Sequence, residues 1–390
     1  MKILVAHNYY QQPGGEDVVF AAERELLLAH GHDVIELTDT NHRLSQVGKF
    51  AAARNAIWSS EAIRKVEELI SKKRPDVAHV HNTWMMLSPS IYSMFQKNGV
   101  PVVQTLHNYR LLCPNALFFR DNRVCEDCLN FSVPLPGIIH KCYRDSMSQT
   151  ATVAAMLSYH RFMRIWLTQV DCYIVLSEFA RNKFIQGGLP PEKLIVKPNF
   201  LPASNTQSND VRNHVLYAGR LSPEKGIQTL AQAWREFSLS DIPLCVAGDG
   251  PEQGVITQLV SQEPHVRYLG QLDRASLVKF IRQSRFVIIP SVCYETFSMS
   301  TLEAFNLGVP VIASRIGAVA ELIRDDETGL LFNPGDANDL ADKVRWLWDH
   351  PEDSMRMGKA ARREYEQKYT PERNYQLLMD IYSKAIAMSV

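Results

Sequence analysis

The sequence predicts an α/β chain of two doubly wound parallel-sheet domains with a crevice between them. Three observations carry this. Short, near-continuously apolar runs alternate with helical patterns through the first half of the chain. The same alternation starts afresh in the second half, as right-handed βαβ units require. A polar, turn-forming stretch at 202–210, P-A-S-N-T-Q-S-N-D, separates the two and reads as a linker.

In the first half, residues 3–6, 34–37, 77–80, 102–106, 172–176 and 194–196 read as strands. Their unbroken apolar character suits a sheet buried on both faces. Residues 17–29, 61–71, 151–168 and 178–186 read as the helices between them. In the second half the strands fall at 214–218, 242–247, 266–269, 286–290, 310–313 and 329–332. Helices fit 227–237, 277–284, 299–306, 337–349 and 353–367, with a last one over 371–388.

Composition narrows the function classes. The 390 residues hold 42 Lys+Arg and 42 Asp+Glu, a formal net charge of zero. A polybasic nucleic-acid binder and an acidic disordered chain are both excluded. The balance hides an asymmetry: residues 1–200 hold 22 basic and 18 acidic side chains, residues 201–390 hold 20 and 24. The amino-terminal apolar run is too short for a signal peptide, and no stretch approaches the ~18 apolar residues of a membrane span. Seven cysteines without an export signal predict a reducing, cytoplasmic setting.

Ligands of open α/β sheets bind beyond the carboxyl ends of the strands, so the residues there carry the chemistry. Three His-Asn pairs follow strands of the first half: His7-Asn8, His81-Asn82 and His107-Asn108. They line one rim with hydrogen-bonding groups, satisfy loop backbone, or form a three-His metal site. Gly14-Gly15 before a helix is either an anion-accepting turn or a plain turn with an acidic first helical turn, Glu16-Asp17. In the second half the first strand runs into Gly219-Arg220-Leu221-Ser222-Pro223-Glu224-Lys225-Gly226, with Ser222 and Pro223 reading as N-cap and N1. Arg220 and Lys225 there are a diphosphate clamp or two solvated charges. Farther on, Glu295 on a loop and Glu303 on a helix could accept hydrogen bonds from sugar hydroxyls, and the Ser298 and Met299 N–H groups could meet a phosphate. Ser300-x-x-Glu303 also matches a capping box, which would account for Glu303 but not Glu295.

These residues resemble a family. The stretch P-S-x-x-x-E-T-F-S-x-x-x-L-E-A-F-x-x-G-V-P-V-I, with Glu295 and Glu303 eight apart, resembles the signature of retaining nucleotide-sugar glycosyltransferases of family 4. So do G-R-L-S-P-E-K-G-I, A-G-D-G-P at 247–251, V-R-Y-L-G, and E-T-G-L-L-F-x-P-G-D at 327–336. The resemblance implies the GT-B fold, two Rossmann-like domains with an interdomain cleft. The acceptor-side domain would span 1–203 with a Cys-containing insert at 110–145, the donor domain 204–372, and a helix at 373–390 would cross back to the first. It implies that Arg220 and Lys225 hold the donor diphosphate, that Glu295 meets the sugar hydroxyls, and that His107 approaches the donor sugar. Glu303 would hold the ribose, with Gly14, Gly15, Asn199, Gly219, Phe297, Ser298 and Met299 completing the substrate-binding set. Thr296 and Ser298 stand where many relatives have glycine. A front-face mechanism with no protein nucleophile is implied, and with no D-x-D carboxylate pair no catalytic cofactor is expected.

Cys113, Cys125, Cys128 and Cys142, spaced C-x11-C-x2-C-x13-C, read either as a structural zinc site or as free thiols. Residues 43–74 carry eight basic and three acidic side chains, and 156–167 is apolar with interleaved Arg. Together they predict a surface for an anionic membrane bearing a lipid-linked acceptor, the 156–167 segment taken alone being a core helix. The chain is thus expected to work in the cytoplasm, peripherally on the inner face of the plasma membrane, with a nucleoside-diphosphate sugar and a glycan or lipid-linked acceptor as partners and no nucleic acid. The competing readings are a dinucleotide oxidoreductase, whose G-x-G-x-x-x-G at 248–254 has the wrong spacing, an epimerase or phosphorylase of the same fold, and a non-catalytic sugar-nucleotide or zinc scaffold.

Overall fold

The computed structural model describes residues 1–12, 14–204, 211–237 and 239–389. Most of the 202–210 linker stretch therefore lies outside the described residues. The chain forms two units. The first is Met1–Phe118, Glu126–Asn199 and Asn374–Val390; the second is Phe119–Cys125 and Phe200–Arg373.

The strands in chain order are β1 (Lys2–Tyr9), β2 (Asp33–Thr40), β3 (Val77–Asn82), β4 (Val102–Thr105), the short pair β5 (Phe119–Arg120) and β6 (Arg123–Val124), β7 (Cys172–Val175) and β8 (Leu194–Val196). In the second unit follow β9 (His214–Ala218), β10 (Leu244–Ala247), β11 (Val266–Gly270), β12 (Ser284–Ile289), β13 (Val311–Ser314) and β14 (Gly329–Phe332). The first sheet has the order β2-β1-β3-β4-β7-β8 and the second β11-β10-β9-β12-β13-β14. All pairings within both are parallel. These are two Rossmann-like doubly wound sheets. β3, β4, β7, β10, β13 and β14 are buried along their whole length, which suits their largely apolar sequences, and the polar residues of β3 and β4 are buried with them.

Each sheet reverses its order at one place, between β1 and β3 in the first and between β9 and β12 in the second. Strand order splits there and leaves a crevice at the carboxyl edge. One predicted helix is corrected: 151–168 is two helices, Met147–Phe162 and Ile165–Thr168, because Arg164 takes a left-handed conformation at φ 55° and stops the first.

Candidate active site

The second unit's site is built by two turns. After β9 the chain runs through Gly219-Arg220-Leu221 into a 3-10 turn, Pro223–Lys225, closed by Gly226 in the left-handed region at φ 72°. A Cβ at Gly226 would lie 1.8 Å from the Pro290 carbonyl oxygen, so this turn can press against the β12 exit only as glycine. The Val292 N–H donates to the Glu224 carbonyl at 2.9 Å and locks the two turns together. That contact brings residues 70 positions apart into one ion pair, with Lys225 Nζ 2.9 Å from Glu295 Oε1. Ser291 Oγ also donates to Glu295 Oε1. Burial opposes the Lys225 charge, but the Glu295 carboxylate outweighs it and raises the lysine above its ordinary pKa. Lys225 is therefore a fixed cation at the β9–β12 crevice. Cys293 beside it is buried, and burial together with Glu295 pushes its thiol up to about 12. It is no nucleophile at neutral pH.

Arg220 is exposed at the end of β9, and its carbonyl accepts from the buried Tyr217 hydroxyl at 2.7 Å. Gly219 is held by its N–H to the Ala247 carbonyl at 3.0 Å. The A-G-D-G-P turn packs on the same loop: a Cβ at Gly248 would lie 1.9 Å from Gly219 O, and one at Gly250 2.3 Å from Leu221 O. Those glycines serve turn-on-turn packing, which explains a G-x-G pattern without a dinucleotide.

The helix Met299–Asn306 starts at this edge, and Ser298 caps it by accepting from Thr301 N–H at 3.2 Å. The Ser300–Glu303 capping box does not form. Ser300 Oγ donates instead to the Ala218 carbonyl at 3.1 Å, tying the helix start to the end of β9. Likewise Ser222 makes no side-chain cap bond and donates to Glu224 Oε1 at 2.6 Å. Glu303, part-buried, is pushed up to about 7 by burial, with Arg274 opposing. Phe297 is buried and meets Tyr369 edge-on at 6.1 Å, so its side chain anchors the loop.

In the first unit the three His-Asn pairs converge on the acidic residues of the Gly15–Ala29 helix. His7 Nε2 is 2.7 Å from Asp17 Oδ1. Asn82 and Asn108 each donate to Glu16, at 3.0 and 3.2 Å. Asn8 Oδ1 accepts from Met86 and Leu87 N–H, and Asn82 Oδ1 from Trp84 N–H, so loop satisfaction is part of their role. His81 Nδ1 is 3.0 Å from His107 Nε2. Burial pushes Glu16 up to about 8, with Asp17 adding. Gly14 N–H donates to Asp17 Oδ2 at 2.7 Å, and a Cβ at Gly14 would meet nothing within 4 Å. Asn199 is buried at the end of this unit.

The four insert cysteines are unbridged thiols, Cys113 and Cys128 buried, Cys125 and Cys142 partly so. Among the described residues the group with metal-ligand spacing is a different one, Glu23–His79–His81. Sequence reading passed over it because Glu23 looks like any mid-helix acid. The Lys197 ammonium already reaches Glu23 Oε1 at 2.5 Å, with both side chains buried. The positive charge a metal would supply is present, so the set does not fit a resident ion.

Two family models match end to end. "Glycosyltransferase Family 4" covers residues 13–204 and "Glycosyl transferases group 1" covers 203–364. The chain belongs to the GT-B glycosyltransferases of family 4. It is similar to a sulfoquinovosyl transferase of Arabidopsis thaliana, 32% identical over 309 residues, 76% of this chain and 54% of that protein. It is also similar to a glycogen synthase of Mycobacterium tuberculosis, 30% identical over 302 residues, 74% of this chain and 64% of the relative. The chain thus spans between half and two thirds of the length of these relatives. Its fold matches Anabaena HepE in complex with UDP at TM-score 0.66 and 19% identity, over 98% of this chain and 100% of that one. It matches a sucrose-phosphate synthase from Thermosynechococcus elongatus at 0.72 and 18%, over 99% of both chains.

Proposed function

We propose that the chain moves a glycosyl group, with retention, from a nucleoside-diphosphate sugar to a hydroxyl of a glycan or lipid-linked acceptor, in the building of a surface polysaccharide or glycolipid. The observation that carries this reading is the Lys225–Glu295 pair at the β9–β12 crevice, beside the start of the Met299–Asn306 helix. A cation and a helix N-terminus together suit a diphosphate. A carboxylate next to them suits sugar hydroxyls. Curated relatives named for sulfoquinovosyl transfer and glycogen synthesis support the reaction class.

In this mechanism the bond from the anomeric carbon to the phosphate oxygen breaks first, leaving an oxocarbenium-like sugar and a nucleoside diphosphate. Lys225, Arg220 and the helix start meet the growing negative charge. Glu295 holds sugar hydroxyls and Glu303 the ribose. The acceptor hydroxyl bonds to the anomeric carbon on the face the phosphate left, and its proton passes to the departing phosphate oxygen. In this reading His107 is the residue that the family resemblance assigns to the donor sugar. A lipid-linked acceptor would be presented at an anionic bilayer in the cytoplasm, a placement that the first unit's surface supports. Phe50, Phe162 and Ile139 are 94%, 85% and 67% exposed, with Phe131, Leu135 and Met163 also exposed near the Met147–Phe162 helix. Arg54, Lys141 and Arg164 are exposed on the same unit. No helix among the described residues is long and apolar enough to cross a membrane.

The test is a thermal-shift screen against UDP, GDP, ADP and their sugars, followed by product analysis with the sugar that binds. A ligand at 100 times its Kd adds about 2.7 kcal/mol of stability. If no nucleotide moves the midpoint, the donor assignment is wrong.

A further inference from the structure

The Gly15–Ala29 helix carries a buried carboxylate that the proposed reaction does not use. Glu23 is 1% exposed. Its Oε1 takes the Lys197 ammonium at 2.5 Å, and Lys197 also donates to Asn374 Oδ1 at 3.1 Å. Its Oε2 faces two imidazoles, with His81 Nε2 at 3.4 Å and His79 Nδ1 at 3.8 Å. His79 is committed elsewhere, to the Tyr382 hydroxyl at 2.8 Å through Nδ1 and to Thr105 Oγ1 at 2.7 Å through Nε2. His81 has one other ring nitrogen, and Nδ1 lies 3.0 Å from His107 Nε2. The rings of His81 and His107 are nearly parallel, 5.2 Å apart. His81 is buried; His107 is the part-exposed member, at the carboxyl edge of β4.

Two neutral imidazoles in contact need one donor and one acceptor. Two arrangements meet that need. In the first, His81 keeps its proton on Nε2, toward Glu23, and His107 donates Nε2–H to His81 Nδ1. In the second, His81 is protonated on Nδ1, and an Nε2 lone pair would stand 3.4 Å from a buried carboxylate oxygen with no proton between them. Lone pair against carboxylate in a water-free interior is strongly unfavourable. An imidazolium is disfavoured as well: burial holds both His81 and His107 well below the ordinary histidine pKa, with neighbouring imidazoles and Lys197 adding to it. The first arrangement remains.

We propose that Glu23 is a positioning residue for His107, acting through His81: its carboxylate selects the His81 Nε2–H tautomer, and this commits the His107 Nε2 proton inward and fixes the ring that His107 presents at the sheet edge. The link from that ring to a sugar rests on the proposed function; the tautomer chain does not. Lys197 pairs with the carboxylate at 2.5 Å, and Asn374 Oδ1 accepts from Lys197 at 3.1 Å.

The experiment reads histidine tautomers by long-range proton–nitrogen correlation on the full chain labelled with 15N-histidine at pH 7. It is paired with turnover of whichever of UDP-, GDP- or ADP-glucose gives the largest thermal shift. The wild type should show His107 as a single Nε2–H tautomer. A proton on His107 Nδ1 overturns the proposal without any variant. Glu23→Leu combined with Lys197→Met removes carboxylate and ammonium together, because a lone Glu23 change would strand a buried charge. In that chain His107 should populate both tautomers, and kcat should fall roughly 10-fold with KM for the donor little changed. A Leu/Met chain that keeps one Nε2–H tautomer and wild-type turnover refutes the proposal. A wild type that turns over no nucleotide sugar refutes the functional reading alone, since the tautomers are read independently.

Discussion

Lys225 and Glu295 are worth little apart. Each is an ordinary charged residue at a loop, and only the 2.9 Å pair makes a rigid charged site at the crevice. Lys225→Ala should lower kcat/KM for transfer by roughly 100- to 1,000-fold, the usual loss for one electrostatic stabiliser of a developing anion. Glu295→Ala should do comparable damage by freeing Lys225 and removing the sugar contact. Initial rates at saturating donor, with circular dichroism to confirm folding, decide both; full activity in either displaces the assigned site. Glu303 adds a pH signature. Its folded pKa of about 7 lies above the ~4.3 of an unfolded glutamate, so the folded state holds the extra proton between those values. Stability contributed by this group is therefore present at low pH and is lost as pH rises from ~4.3 to 7. Glu303→Gln should gain stability relative to the parent across that window and run parallel to it above pH 7, in denaturant melts at several pH values. His79 and His160, held near 4 by burial, act with the opposite sign, and taking the difference between the two chains cancels them.

At the scale of elements, the glycines of the second unit decide whether the turns can meet. Gly226→Ala has both a φ of 72° and the Pro290 carbonyl against it. About 3 kcal/mol of destabilisation is expected, seen as a midpoint lower by roughly 6–12 °C and a lost nucleotide-induced shift. Gly254→Ala, with nothing within 4 Å, is the control and should leave both unchanged. The same scale shows what sequence reading could see. The strands at 194–196, 214–218 and 329–332 were legible to the residue, because each is a short, mainly apolar run bounded on both sides by turn-forming or charged residues. Gln253–Gln262 escaped notice as a helix, since its β-branched Val255, Ile256, Thr257 and Val260 favour strand while only Ile256 and Leu259 are buried. The donor-side residues were legible as motifs, but their pairing was not, because β10, β11 and β12 intervene between Lys225 and Glu295. Glu23 and Lys197, 174 residues apart, left no local trace at all.

For the whole molecule, the charge asymmetry of the sequence becomes a more specific surface. The 43–74 stretch is less available to a membrane than its eight cations suggest. Arg43 pairs with Asp39 and Glu61, Lys65 with Asp39 and Glu61, and Lys72 with Glu68. The Met147–Phe162 helix buries Val153, Ala154, Met156 and Leu157, so one face of the 156–167 segment is core, and the exposed apolar residues cluster at its end and on its neighbours. Liposome flotation should therefore show binding to vesicles with anionic lipid and little to neutral ones, and Phe50→Ser with Phe162→Ser should weaken it several-fold. Absence of binding under both conditions removes the membrane from the account.

The first unit is stitched from residues at both ends of the described chain, and the seam is polar: Tyr382 closes on His79, and Asn374 closes on Lys197. During synthesis, which proceeds from the amino terminus at about 5–20 residues per second, the half made first must wait for residues 374–390 before its buried ammonium and imidazoles have all their partners. The second unit, made later, has nearly all its own residues in hand before that. On the ribosome, then, the order of completion reverses the order of translation.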